Sequence, residues 1–206
     1  MDRLIKGYRR FRADGWPDRK RLFEQLADQG QTPRALVIGC VDSRVDPGMI
    51  LDAGPGELLV LRNVANLVPP YAPDGAHHST SAALEFAVRV LRVPDIVIIG
   101  HAMCGGIAAL MNGAPPEATD FLVPWINIAA RAKSRVLACD DAMGGEGDPQ
   151  LACEHAAIVL SLENLREYPW VAERLADGSL QLHGAHFDIR SGTLKLLGED
   201  GAFAPV

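Results

Sequence analysis

Two short apolar runs with matching ends stand out in the hydrophobic pattern. Ala35-Leu36-Val37-Ile38-Gly39 leads into Cys40, and Ile96-Val97-Ile98-Ile99-Gly100 leads into His101. Unbroken apolar runs of this length predict strands covered on both faces, as in a parallel sheet. Helical spacing replaces the runs elsewhere. Trp16-Pro17 opens a short helix to Asp28, broken by Gly30-Gln31-Thr32-Pro33. A helical turn runs from Asp46 to Leu51, and a second strand covers residues 57–61. After a proline-rich loop over 68–73, Ala82, Ala83, Phe86, Ala87, Val90 and Leu91 recur on one face of a helix over 79–91. Further helices are predicted from Cys104 to Asn112-Gly113, over 117–137 and 148–167, and to Asp177. A Gly- and acid-rich loop over 141–147 divides the middle pair. Strands over 180–189 and 193–197 are joined by a Ser191-Gly192 turn. This alternation predicts an α/β fold: a mostly parallel central β-sheet flanked by helices, an N-terminal helical arm over 1–30 and a C-terminal strand pair, in a single domain over 1–206.

Charge changes this picture at one place. The chain has 206 residues and a formal net charge of −6, which argues against general nucleic-acid binding. The first 21 residues nevertheless hold eight Lys/Arg and three acids, a net +5 that leaves −11 for the rest. Leu4, Ile5, Tyr8 and Phe11 form an apolar stripe on the same segment. The segment is either a solvated basic helix or an arm that docks on an acidic partner subunit. The apolar runs are too short to cross a bilayer, and the N-terminus lacks the apolar core of a signal peptide, so a cytoplasmic protein is expected. Four cysteines in a reducing compartment argue against a disulfide framework. Cys139 and Cys153 are expected as small buried residues in helices.

The chemistry collects at the ends of the two apolar runs. Cys40, His101 and Cys104 form a soft set suited to tetrahedral zinc with one open position, the arrangement of a catalytic rather than a structural metal. Carboxyl ends of parallel strands are where open α/β sheets place their sites. An isolated histidine or cysteine is most simply a packed core residue, and only the combination points to a metal. Cys104 opens a helix, whose dipole favours thiolate. Asp42 lies two residues past a ligand and can reach the metal or its water, and Arg44 can grip Asp42 with two hydrogen bonds. Away from a metal the same two residues are an ordinary surface ion pair. His77 and His78 read as loop or capping residues with a proton-shuttling alternative, His155 as packed, His183 and His186 as strand residues, and Trp125 and Trp170 as packing residues.

Cys40-Val41-Asp42-Ser43-Arg44, Arg62-Asn63-Val64-Ala65-Asn66 and Gly100-His101-Ala102-Met103-Cys104-Gly105-Gly106 together resemble the β-class carbonic anhydrases, in their plant-type branch. The resemblance extends from about Gln31 to Leu197. It implies one zinc per chain and reversible hydration of carbon dioxide to bicarbonate and a proton by zinc-bound hydroxide. It implies that Asp42 accepts a hydrogen bond from that hydroxide while Arg44 keeps Asp42 ionised and off the metal. In part of the family the matching aspartate closes the site as a fourth ligand. The resemblance also implies a substrate pocket of Gln31, Leu59, Val64, Phe86 and the Gly105 N–H. Leu59 and Phe86 stand where many relatives carry Phe and Tyr, and Val37 where relatives with an inhibitory bicarbonate pocket carry Trp. It further implies a homodimer, or paired dimers forming a tetramer, with Gln31 reaching the partner's zinc. The competing reading on the same scaffold is hydrolysis of carbonyl sulfide or carbon disulfide.

Overall fold

A computed structural model describes the backbone of residues 1–143 and 147–206, and the side chains of all but residues 139–146. The chain opens with helix α1 (Asp2–Arg10), which runs through a wide π turn at Phe11–Gly15 directly into α2 (Trp16–Gln29). No residue of this arm is buried. The helix expected from Trp16 is therefore the second half of a longer one, ended at Gly30, whose φ of 81° suits glycine.

Strand β1 (Ala35–Cys40) is buried at every position. It lies between β2 (Leu58–Asn63) and β3 (Asp95–His101), both parallel to it. The six-stranded sheet has the order β2-β1-β3-β4-β5-β6, with β4 (Gln181–Phe187) parallel to β3, and β5 (Leu194–Leu197) and β6 (Phe203–Pro205) antiparallel beyond it. Leu36, Ile38, Ile96 and Ile98 point into one face's core, while Val37, Ile99 and Ala185 pack together apart from it, which explains the unbroken apolar runs. Gly39 stands opposite Ile99 and Cys40 opposite Asn63, so Cys40, Asn63 and His101 fall at the same carboxyl edge.

The helices follow as α3 (Pro47–Ile50), α4 (Ser79–Glu85, continued by a π turn at Phe86–Val90), α5 (Gly105–Asn112), α6 (Leu122–Ile126), α7 (Ala130–Met143), α8 (Pro149–Arg166) and α9 (Pro169–Ala176). Helix α8 is the one the site depends on. Asp148 caps it by accepting the N–H groups of Gln150 and Leu151, and Pro149 occupies its first turn. It lies against Gly100 of β3 and Gly184 of β4 so closely that a Cβ on Gly100 would come within 2.7 Å of Ile158.

Three expectations need adjusting. The helix predicted over 117–137 is broken into α6, a 3-10 turn at Asn127–Ala129 and α7. Pro124 has no N–H to give the Asp120 carbonyl, so it sits in the first turn of α6, where none is needed, and the helix starts at Leu122 rather than at residue 117. The loop expected at 141–147 starts later, since α7 continues to Met143; residues 144–146 lie outside the described residues. The Cys139 side chain also lies outside them, whereas Cys153 is buried as expected. The C-terminal strand pair gains a third member in β6. No described helix is long and apolar enough to cross a membrane.

Candidate metal and catalytic centre

Cys40 ends β1, His101 ends β3, and Cys104 precedes α5, so two strand ends and a helix start converge. Their ligand atoms all lie within 4.8 Å of one another and all three residues are buried. The two sulfurs are 4.0 Å apart. Two thiolates each about 2.3 Å from a tetrahedral zinc lie about 3.8 Å apart, so the spacing fits. His101 Nε2 is buried without a hydrogen-bond partner, while Nδ1 faces the Ala102 carbonyl at 2.9 Å. An imidazole held at one nitrogen and bare at the other is the usual setting of a metal ligand. The group can hold a metal ion, and its donor set fits zinc.

Backbone amides near the sulfurs favour their thiolate forms: those of Asp42 and Ala65 at Cys40, and those of Gly106 and Ile107 at Cys104. Ala65 has φ of 62°, a left-handed conformation uncommon for a residue with a side chain. Gly106 is required beside it, because a Cβ there would meet Val64 Cγ1 at 2.7 Å. Without metal the two thiols share charge unequally. The bond from Cys104, with help from His101, pulls the Cys40 thiol down against its burial; that same bond and burial push Cys104 up. Burial opposes charge on His101, but the neighbouring Cys40 sulfur, the Ala102 carbonyl and the Asp42 carboxylate outweigh it and raise its pKa.

Asp42 and Arg44 are paired as expected. Asp42 Oδ1 accepts the Arg44 backbone N–H at 3.0 Å and Nε at 2.9 Å, and Oδ2 accepts Nη2 at 2.6 Å. The guanidinium holds the carboxyl well below the usual carboxylate range. Oδ2 lies 4.0 Å from His101 Nε2, so the carboxylate stands beside the ligand group but outside it. Arg44 Nη2 also reaches the Met103 carbonyl at 3.3 Å, between the two later ligands.

Of the expected pocket residues, Val64 and Gly105 stand at this centre. Val64 is held by Trp125, whose Nε1 donates to its carbonyl at 2.8 Å, and the space beside Gly105 is open. Val41, Val64, Phe121 and Trp125 line an open, largely apolar cleft of about 510 Å³. Gln31 is exposed before the opposite end of β1, and Leu59 pairs with Leu36, four residues before Cys40. Phe86 is 47% exposed after α4. None of these three meets the ligand group within the chain. Among the histidines, His78 pairs with Asp74 at 2.7 Å and His183 with Asp95 at 2.8 Å, both outside the centre.

Sequence reading missed the residues that hold the ligand loops. Arg62 Nε donates to the Cys40 carbonyl at 2.7 Å and its Nη2 to the Asp42 carbonyl at 2.6 Å. Glu154 accepts the Cys104 N–H at 2.9 Å. Arg62 lies within a quoted motif, a cue to its role; Glu154, inside a helix of ordinary composition, carries no such signal.

Comparisons with known proteins agree with this centre. The sequence model of a family described as carbonic anhydrase matches residues 35–194. The chain is 40% identical to beta carbonic anhydrase 3 of Arabidopsis thaliana over 200 residues, 95% of this chain and 76% of that protein. It is also 40% identical to a carbonic anhydrase of Pseudomonas aeruginosa over 202 residues, 98% of this chain and 89% of that one. Its fold superposes on the β-carbonic anhydrase CcaA with a TM-score of 0.92 at 34% identity, covering 100% of this chain and 99% of the other. It superposes on a tetrameric β-carbonic anhydrase of Sordaria macrospora with a TM-score of 0.83 at 29% identity, covering 96% of each. With three sequence motifs, the sheet that unites them and relatives matched along nearly the whole of this chain all in accord, the chain belongs to the β-class carbonic anhydrases, a family of zinc lyases.

Proposed function

We propose that this chain hydrates carbon dioxide reversibly to bicarbonate and a proton, with one zinc held by Cys40, His101 and Cys104. The observation that carries the reading is the Asp42 carboxylate, gripped by Arg44 and set 4.0 Å from a bare, buried His101 Nε2. Zinc, when bound, lowers the pKa of water toward about 7. Asp42 Oδ2 can only accept hydrogen bonds, so it would accept one from the attacking oxygen and leave that oxygen's lone pair facing the substrate carbon. Arg44 keeps Asp42 too weak a base to retain the proton, which passes to solvent or buffer. Val64 and the cleft beside it offer dry walls to an apolar substrate, and the Gly105 N–H donates to a substrate oxygen.

The remaining pocket residues require a second copy. Gln31, Leu59 and Phe86 lie away from their own ligand group, and the arm beside Gln31 carries an exposed apolar stripe. In the proposed homodimer, which can pair into a tetramer, they complete the partner's pocket: Gln31 by hydrogen bonding, Leu59 and Phe86 as walls. The protein is placed in the cytoplasm, and no nucleic acid or membrane partner is invoked. Stopped-flow measurement of carbon dioxide hydration by the zinc-loaded protein, with carbonyl sulfide as the comparison substrate, tests the reading. Fast hydration with negligible sulfide release supports it; the reverse preference overturns it.

A further inference from the structure

The turn that joins His101 to Cys104 contains only Ala102 and Met103, and Met103 has φ of 57°. Such a conformation persists in a residue with a side chain only where its surroundings hold it. Three neighbouring polar groups are tied down. Ala102 N–H donates to the Phe187 carbonyl of β4 at 2.9 Å, and Arg44 binds the Met103 carbonyl. The last tie, at Cys104 N–H, is made by the Glu154 carboxylate of α8.

Glu154 is an expensive choice for that task. It is 3% exposed, and its partners among the described residues are the Cys104 N–H and Gln150 Nε2 on Oε1, at 2.9 and 3.1 Å, and His186 Nε2 on Oε2 at 3.1 Å. No Lys or Arg is among them. A neutral amide would serve as well to accept one N–H, whereas a buried carboxylate also places negative charge one residue-width from a metal-ligating sulfur. His186 is itself 1% exposed and is covered by His155, whose ring meets it edge-to-face at 4.6 Å and stacks on Phe203 of β6 at 4.1 Å. The pair is therefore sealed under the C-terminal strands and held from both α8 and β4.

We infer that Glu154, oriented by His186, is a positioning residue that fixes the Cys104 sulfur and strengthens its electron donation to the metal. The inference rests on the proposed ligand set. Groups that hold metal ligands from behind typically contribute 10- to 100-fold in affinity or activity.

The test compares the full-length protein with Glu154→Gln, Glu154→Ala and His186→Asn. Zinc affinity is read by chelator competition, and cobalt(II) is used as a spectroscopic probe. Glu154→Ala is expected to weaken zinc binding by about 10- to 100-fold. Glu154→Gln, which keeps an oxygen acceptor for Cys104 but loses the charge, should recover part of that loss while still shifting the sulfur-to-cobalt charge-transfer band. His186→Asn should shift the band in the same direction by less. Hydration by the zinc-loaded variants should lose kcat with little change in KM. If Glu154→Ala does not fold, the other two variants carry the test. Wild-type zinc affinity and an unshifted cobalt band in the variants that fold overturn the inference. A wild-type protein that takes up no cobalt overturns the ligand assignment, and the inference with it.

Discussion

Asp42 can be gripped by Arg44 because the two are neighbours but one, and the side chain of Arg44 returns to both carboxylate oxygens within 3.0 Å. Replacing either by alanine is expected to cut hydration by roughly 10- to 100-fold or more, because orientation of the attacking water is lost. Zinc content, read by metal analysis, should stay near one per chain, since Asp42 stands outside the ligand group. Arg44→Ala has a second consequence. With the guanidinium gone, Asp42 returns toward the ordinary value of about 3.9, so its ionised form is lost as pH falls through that range. Residual activity of the variant should therefore decline between about pH 5 and 4, where the wild-type carboxylate remains ionised; a pH–rate profile checks this. Cys104→Ser should bind far less zinc, because a hard hydroxyl replaces a soft thiolate. These residues were readable in the sequence because their chemistry is local: soft donors directly follow apolar runs, and Asp42 and Arg44 follow Cys40. Arg62, Glu154 and Trp125 were not readable in these roles. Their contacts with Cys40, Cys104 and Val64 span 22, 50 and 61 residues, and only the folded sheet brings them together.

Among the elements, the central strands were plain because β1 is covered on both faces and reads as a continuous apolar run. Strand β6 was not, since Phe203-Ala204-Pro205 is three residues long, lies at the sheet edge and contains a proline. That strand nonetheless matters to stability, because Phe203 stacks on His155 of α8. Burial, then the nearby His186 and Lys195, lower the His155 pKa from its usual value to about 4, with Glu154 pulling weakly the other way. The depressed pKa fixes the sign. The unfolded chain binds this proton near pH 6.5 and the folded one does not until about 4, so stability is full above 6.5 and falls as pH drops between the two. His155→Phe keeps a ring against Phe203 and cannot titrate. Chemical unfolding at pH 7.5 and pH 5 should show a smaller loss for this variant than for the wild type. Taking the difference between the two proteins removes the acid sensitivity that both share through their metal ligands. Equal losses would show that His155 titrates like a solvent-exposed histidine.

For the whole molecule, the unresolved balance is between a basic, apolar-striped arm and an acidic body. The first 21 residues carry a net +5 and the remainder −11, and Leu4, Ile5, Tyr8 and Phe11 are 72%, 41%, 62% and 40% exposed. A solvated helix needs no such stripe, and among the described residues none of the arm is buried against the chain's own core. The sheet's first edge adds to the argument: Val60 of β2 and Val90 beyond α4 are 45% and 62% exposed, alongside Phe86. In the proposed homodimer a second copy would cover these surfaces and bring Gln31, Leu59 and Phe86 to a ligand group they do not meet at home. Removal of residues 1–12 is therefore expected to weaken association and to lower hydration together, since an incomplete pocket follows from an incomplete dimer. High salt should reproduce part of the effect, because exposed charges are screened beyond about 10 Å at ~0.1 M ionic strength, while apolar contact persists. Sedimentation of the full-length and shortened proteins over a range of concentration and salt, with hydration measured on the same samples, reads both quantities. Activity should follow the dimer fraction in every condition, and a full-length protein that is fully active as a monomer at micromolar concentration would refute a pocket shared between subunits.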